Sequence, residues 1–361
     1  MKKFLLIGIP MSVCNFRCHY CYLSHRPEYL QGEHPVMRYS PGDVARALCP
    51  ERLGGTCLLN FCADGETLLT KDLDQYIRPL VEAGHFVEIV TNLTPTVMLD
   101  RILSWDRELL ERVEFKCSFH YLQLKEHGLL ERFAENVRKI WDVGASASVE
   151  LLPSDELIPF IEEVKEFSIR HFQALPQLTI ARDDKTERQG YLTRLTPEEY
   201  DRIWSGFDSP FWAFKKALFG VRREEFCYAG DWSAYINLAT GSIHQCYRGM
   251  ELGNAFAHPE RPFPAFPIGR CRNPHCYNGH ALMSAGLIPQ LETPGYGDLR
   301  DRIRPDGSHW LQPGMRAMMN TKLADSNRIL GPCTRTAVRL AYQPVRLGKK
   351  LIFKLFDKEV R

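Results

Sequence analysis

From residue 3 to about residue 182 the chain alternates short apolar runs with longer amphipathic stretches. The apolar runs predict strands at Phe4–Ile9, Thr56–Phe61, Phe86–Thr91, Arg112–Phe119, Ala145–Leu152 and Gln177–Ala181. Between them, helical spacing of apolar positions predicts helices over Asp72–Ala83, Val97–Trp105, Leu124–Trp141 and Asp155–Ile169. Strands alternating with helices imply repeated strand–helix–strand units, and so an α/β fold with a parallel sheet. Six such units over ~180 residues fit an open, partial barrel better than the full eightfold barrel of ~250 residues.

The pattern changes after about residue 190. Helical stretches at Thr196–Gly206 and Pro210–Phe219 lead to Cys227 and then to a hairpin-like stretch, Ala234–Cys246, whose Ala-Thr-Gly tip separates two β-type runs. Residues 257–315 are rich in Pro and Gly and are expected to be mostly irregular. These shifts divide the chain into a core at 1–200, a second unit at 201–315 and a tail at 316–361.

Composition and charge narrow the class. With 361 residues, 44% hydrophobic and 25% charged, the chain reads as a soluble, cored protein of about two domains. The net charge of +2 gives no case for nucleic acid, and no apolar run approaches the ~20 residues needed to cross a bilayer. The opening imitates a signal peptide, yet Phe4–Ile9 is followed at once by Pro10, short of the ~7–15 apolar residues of a secretory segment. A buried first strand is the better reading. The tail is distinct: from Thr334 to Arg361, eight Lys and Arg face two Asp and Glu. There Leu347, Leu351, Ile352, Leu355 and Phe356 share one half of a helical projection, facing Arg346, Lys350 and Lys354. Docking of that apolar face on the protein is favoured over weak contact with an anionic membrane surface.

The twelve cysteines are unevenly placed. Cys14, Cys18 and Cys21 crowd onto one stretch directly after the first predicted strand. Three thiolates on a short loop can hold three irons of a four-iron cluster and leave the fourth open to a ligand. A zinc knuckle would usually pair its ligands two to four residues apart, with a second pair later.

The spacing C-x3-C-x2-C, with Tyr20 just before its last cysteine, resembles the cluster motif of the radical S-adenosylmethionine superfamily. The resemblance covers roughly residues 3–182. It implies a partial (β/α)6 barrel, a 4Fe-4S cluster and S-adenosyl-L-methionine chelated at the open iron. In that family an electron from the cluster cleaves the cofactor to a 5′-deoxyadenosyl radical. Three further segments fall in order at strand ends. Cys62-Ala-Asp64-Gly65-Glu66-Thr67 resembles the family's Gly-Gly-Glu-Pro segment for the methionyl ammonium, departing from it at Asp64 and Thr67. Thr91-Asn92 stands where relatives often carry Thr-Asn-Gly. Lys116-Cys-Ser118-Phe-His120 stands where a polar residue often contacts the cofactor, with His120 a candidate substrate contact. Glu150 and Arg182 lie near the last two strand ends and are further cofactor candidates without a clear motif.

Cys227, Gly241 and Cys246, followed by Cys271 and Cys276, resemble the SPASM and Twitch auxiliary-cluster extensions of the same superfamily. Four cysteines suit the shorter, single-cluster Twitch form, and the resemblance implies a second 4Fe-4S cluster. A structural zinc is the alternative, using the four cysteines or including His275 or His280. Of the remaining thiols, Cys62 and Cys333 are candidate hydrogen-atom donors, while Cys57 and Cys117 read as small core residues.

What the resemblance implies is an oxidoreductase or epimerase acting on a small-molecule or carbohydrate substrate, with the single auxiliary cluster tilting toward oxidation. An electron donor of flavodoxin or ferredoxin type and a reducing, cytoplasmic location go with it. Peptide maturases of the superfamily often carry an added N-terminal peptide-binding domain, which is not expected here because three residues precede the strand predicted at Phe4–Ile9. A peptide maturase of the SPASM class is the alternative. The non-enzyme alternative is an iron–sulfur or zinc scaffold.

Overall fold

The computed structural model describes residues 1–23, 32–183, 185 and 190–340. Strand β1 (Phe4–Ile9) is buried at every position because it has parallel neighbours on both sides. A strand covered on both faces needs a continuous apolar run, which explains the likeness of this segment to a signal peptide. Parallel pairing continues through β2 (Leu58–Ala63), β3 (Phe86–Thr91), β4 (Val113–Ser118), β5 (Ser146–Leu151) and β6 (Gln177–Leu178). The helices Leu73–Glu82, Thr96–Leu103, Leu130–Asp142 and Ile161–Phe172 return the chain between strands.

Local boundaries depart from the pattern for identifiable reasons. β2 starts two residues later than its apolar run, because pairing of Phe4 with Leu58 through Ile9 with Ala63 sets its ends. β6 is short because the amide of Leu178 donates to Ser209 Oγ at 2.9 Å, at the start of the helix Pro210–Leu218. The stretch expected as one helix over Leu124–Trp141 is two, Tyr121–Glu126 and Leu130–Asp142. Asp155–Phe160 is a 3-10 turn containing Pro159, and the α-helix begins only at Ile161.

The hairpin expected in the second unit extends the main sheet. Ser233–Asn237 runs parallel to β1, and Ser242–His244 and Glu251–Asn254 follow antiparallel outside it. The result is an open nine-stranded sheet with Glu251–Asn254 at one edge and β6 at the other. The hairpin tip is set by side-chain chemistry. Asn237 Oδ1 accepts from the amides of Ala239 and Thr240, each at 3.0 Å, and Gly241 takes φ +73°, a conformation that favours glycine.

Two apolar layers result. Leu5, Ile7 and Ile9 pack with helix residues such as Val44, Ile77 and Leu80. Phe4, Leu6 and Leu58, on the opposite face, pack with Leu287, Tyr296, Met315 and Met319. The C-terminal segment thus fills the inner side of the sheet with side chains. No helix among the described residues is long and apolar enough to cross a membrane. The amphipathic face expected at 346–356 lies outside the described residues.

Candidate active site

The loop after β1 is held in place from three sides. Phe16 is buried and stacks on His127 with ring centroids 5.7 Å apart. Arg17 Nη1 donates to the carbonyls of Cys14 and Phe16 at 2.5 and 2.8 Å. Asn15 Nδ2 donates to Thr94 Oγ1 at 2.7 Å, and Asn92 Nδ2 donates to Asn15 Oδ1 at 2.9 Å. On this loop Cys14, Cys18 and Cys21 act on one another electrostatically. Burial, with the two neighbouring thiols adding to it, pushes Cys18 up to about 12, and burial raises Cys14 as well.

Gly65 explains how the second segment meets this loop. A Cβ there would lie 2.1 Å from the carbonyl oxygen of Val13. Without one, Asp64, Gly65 and Glu66 donate their amides to the carbonyls of Ile9, Met11 and Val13 at 3.2, 2.6 and 2.9 Å. The glycine therefore serves close approach of the protein's own backbone. The side chain of Asp64 is exposed. Glu66 is buried, and its carboxylate accepts from Thr91 Oγ1, from the Asn92 amide at 2.7 Å and from the Leu68 amide at 2.9 Å. Burial raises it to about 7 against the pull of those bonds. Glu66, Thr91 and Asn92 thus form one network that ends on the cysteine loop through Asn15.

Tyr20 joins the loop to β4. Its hydroxyl bonds the Cys18 sulfur and lies 2.9 Å from His120 Nδ1. Burial holds His120 down at about 4, so the ring is neutral near pH 7. Ser118 pairs in register with Glu150 on β5. Burial works against the Glu150 charge, but Lys116, Arg300 and Lys215 outweigh it and hold the carboxyl well below its ordinary range. Lys116 stands 3.5 Å and Arg300 2.5 Å from it. The Arg182 guanidinium lies 3.8 Å over the Tyr22 ring, next to Cys21.

Deeper on the inner side, Arg300 is fully buried and also bonds Ser148 Oγ at 2.5 Å. Tyr296 donates to Glu88 at 2.8 Å. Burial and the facing Glu88 carboxylate raise Glu114 to about 8, in spite of Arg300. Sequence reasoning missed this layer. Glu88 and Glu114 carried a signal, as acids inside otherwise apolar strands; Arg300 and Lys215 sit in no motif.

The second cysteine set is drawn together by the fold. Cys227 pairs in register with Gly269, two residues before Cys271, and the extended hairpin returns the chain at Cys246. Cys276 precedes the helix Gly279–Ser284, whose first amide donates to the Cys276 carbonyl at 3.2 Å. Burial raises Cys227 with Cys276, Cys246 and Cys271 adding to it, and Cys276 is pushed up to about 12. His275 is buried and stacks on Phe219.

Both sets fit an iron–sulfur group by their donor chemistry. All twelve cysteines are free thiols, and burial raises Cys14, Cys18, Cys227 and Cys276, with other thiols of the same set opposing their ionisation. Bound iron reverses that opposition, because its charge favours the thiolate. Among the described residues no three His, Cys, Asp or Glu side chains are arranged around a single metal ion. Of the candidate hydrogen donors, Cys62 is half-buried on β2 and is pushed up to about 12 by burial, with Lys116 acting against it. Cys333 is exposed, on a helix at 332–340.

No protein-family model matches the chain, and the curated proteins contain no match to it. Solved structures do match. His-tagged anSMEcpe with bound AdoMet aligns at TM-score 0.52 and 15% identity, over 96% of this chain and 94% of that one. Native anSMEcpe with AdoMet and a Cp18Cys peptide aligns at 0.50 and 16%, over 71% and 78%. Streptococcus suis SuiB aligns at 0.45 and 14%, over 71% of this chain and 63% of its own length. These are radical S-adenosylmethionine enzymes. The chain has the partial-barrel fold of the radical S-adenosylmethionine enzymes.

Proposed function

We propose that the chain is a radical S-adenosylmethionine enzyme that abstracts a hydrogen atom from a small-molecule or carbohydrate substrate, with oxidation or epimerisation as the outcome. The observation that carries this reading is the loop at the carboxyl end of β1, where Cys14, Cys18 and Cys21 fall within eight residues of one another in this fold. Those three would hold the catalytic 4Fe-4S cluster, and Cys227, Cys246, Cys271 and Cys276 a second one. When bound, cluster and cofactor together supply reductive cleavage of S-adenosylmethionine and a hydrogen-abstracting 5′-deoxyadenosyl radical.

The residues divide the remaining work. Tyr20, with His120 behind it, supplies a hydrogen bond to the Cys18 sulfur. Glu66, Thr91 and Asn92 fix the shape of the loop through Asn15. The exposed Asp64, beside the loop, is the carboxylate suited to an ammonium group. Ser118 and Glu150 lie at the carboxyl ends of β4 and β5, where barrel enzymes place their substrate and cofactor contacts, and Arg182 follows β6 in a separate two-stranded ladder with Tyr191. For inversion of a carbon centre, Cys62 is the thiol placed on the sheet to return a hydrogen atom.

A second reading is supported by the alignment to anSMEcpe with a bound peptide: the substrate is a peptide, as in the SPASM maturases. The test of the common core is anaerobic reconstitution, reduction and assay for 5′-deoxyadenosine. Its formation, lost when Cys14, Cys18 and Cys21 are changed to Ala, supports the proposal; none under any reducing condition favours the scaffold reading.

A further inference from the structure

Ser148 and Glu150 stand two residues apart on β5, so their side chains leave the same face of the strand, with Glu150 nearer its carboxyl end. One guanidinium spans them. Arg300 Nη2 donates to Ser148 Oγ and Nη1 to Glu150 Oε2, each at 2.5 Å, while Nε lies 3.9 Å from Glu114 Oε1. Ser148 Oγ in turn donates to Glu114. Arg300, Ser148 and Glu114 are fully buried, whereas the Glu150 side chain keeps 12% of its surface exposed. Of these four side chains, Glu150 is the one that a bound molecule can reach.

Arg300 enters from outside the barrel strands, on a backbone that is clamped. It ends the helix Tyr296–Arg300. The carbonyl of the next residue, Asp301, accepts from Gln177 Nε2 on β6 at 2.9 Å. The Asp301 carboxylate accepts from the amides of Trp310 and Leu311 at 3.0 and 3.1 Å. The guanidinium carbon lies 5.2 Å from the centre of the Phe211 ring. Lys116 of β4 stands 3.5 Å from the same Glu150 oxygen, and Lys215, His280 and His120 interact with the carboxylate electrostatically.

A buried ion pair is weak evidence for stability, because apolar residues of like volume often serve as well. Leu287, Met315 and Met319 of the same segment already pack on this side of the sheet. What a guanidinium adds is direction: its planar fork ties Glu150 Oε2 to Ser148 and fixes the carboxylate. Oε1 accepts no hydrogen bond among the described residues. A carboxylate fixed through one oxygen offers the other to a donor, and S-adenosylmethionine carries such donors in its ammonium and hydroxyl groups.

We propose that Arg300 is a positioning residue of the cofactor site, holding Glu150 so that Oε1 accepts a hydrogen bond from S-adenosylmethionine. The C-terminal segment thereby completes a site otherwise built on barrel strands. The identity of the bound molecule rests on the proposed radical reaction; the fixing of Glu150 by Arg300 does not.

The test is calorimetric titration of S-adenosylmethionine into the reconstituted, unreduced holoprotein. Wild type, Glu150→Gln, Arg300→Met, Arg300→Lys, the double variant of Glu150→Gln with Arg300→Met, and Arg302→Met are compared. Arg302 is the control, a cation of the same segment whose guanidinium donates to the carbonyls of Asp208, Pro176 and Phe207. Glu150→Gln and Arg300→Met should each weaken binding at least ~10-fold. The double variant should bind no more weakly than Glu150→Gln alone, because Arg300 acts through Glu150. Arg300→Lys keeps the cation and should bind more tightly than Arg300→Met. Arg302→Met should melt lower than the wild type yet bind the cofactor equally well. If Arg300→Met does not fold, Ser148→Ala, which removes the other arm of the fork, takes its place in the same cycle. Unchanged binding in Glu150→Gln, losses that add in the double variant, equal binding by Arg300→Lys and Arg300→Met, or an equal loss in Arg302→Met would overturn the proposal. A wild type that binds no S-adenosylmethionine overturns both this role and the radical reading. Binding that depends on Arg300 and Glu150, with no 5′-deoxyadenosine on reduction, leaves the role standing and removes the radical reading. If 5′-deoxyadenosine forms and Arg300→Met binds like the wild type, the radical reading stands and the role fails.

Discussion

The two cysteine sets are assembled by opposite means. Cys14, Cys18 and Cys21 lie on one short loop behind a buried central strand, and the loop is tied to its neighbours through Asn15, Phe16 and Arg17. Cys227, Cys246, Cys271 and Cys276 are spread along the chain and meet through a two-stranded ladder, a hairpin and a helix start. The first set depends on local spacing and a rigid frame, the second on topology. A local set can be disabled by one misplaced atom in its frame, whereas a distributed set depends on each of the turns that return the chain.

The largest expected effect separates the two sets outright. Changing Cys14, Cys18 and Cys21 to Ala should abolish 5′-deoxyadenosine and lower bound iron from about eight to about four per chain. Cys227→Ala should leave 5′-deoxyadenosine formation measurable and take iron from the other set. Iron that is unchanged in the triple variant would erase the distinction.

The difference also explains what could be read from the sequence. The six barrel strands and the cysteine loop were legible because each is a local pattern: an apolar run, or close spacing behind one. The addition of Ser233–Asn237 to β1 was not, since pairing partners more than two hundred residues apart leave no local trace. Glu66 was legible as a site residue, but its bonds to Thr91, Asn92 and Leu68 were not. Nothing local in the sequence shows that Gly65 makes room for the Val13 carbonyl. Lys215 and Arg300 were silent because a cation on an amphipathic helix or in a Pro- and Gly-rich stretch reads as solvated until the fold turns it inward.

Gly65→Ala is the next sharpest probe. Its Cβ would meet backbone at 2.1 Å, so the loop must move; the expected cost is about 3 kcal/mol, the upper part of the overpacking range. Iron analysis should show loss from the catalytic set alone. Gly241→Ala is the matching change on the other side. It strains a positive φ and meets Asn254 Oδ1 at 2.5 Å, for an expected loss of about 1–2 kcal/mol. Its iron loss should fall on the auxiliary set, with 5′-deoxyadenosine retained.

Asn92→Ala removes the bonds to Asn15 and Thr94 and should cost about 1–2 kcal/mol by denaturant titration. It should slow 5′-deoxyadenosine formation without affecting auxiliary iron. A pH slope is expected from the buried Glu88 and Glu114 on the inner side of the sheet. Burial beside Glu88 raises Glu114 to about 8, against ~4.3 in the unfolded chain. Between these values the folded protein holds a proton that the unfolded chain has lost, so stability should fall as pH rises through the window. Glu114→Gln should flatten that slope in melting curves recorded from pH 5 to pH 8; an unchanged slope would remove Glu114 as its source.

The central claim is that only the three-cysteine loop leaves an iron open to S-adenosylmethionine. Electron paramagnetic resonance of the reduced protein, before and after adding the cofactor, tests it directly. The expected result is a shifted cluster signal in the wild type and in Cys227→Ala, and no shift when Cys14, Cys18 and Cys21 are Ala. A cofactor-dependent shift that survives in the triple variant, or is absent from the fully loaded wild type, would contradict the account.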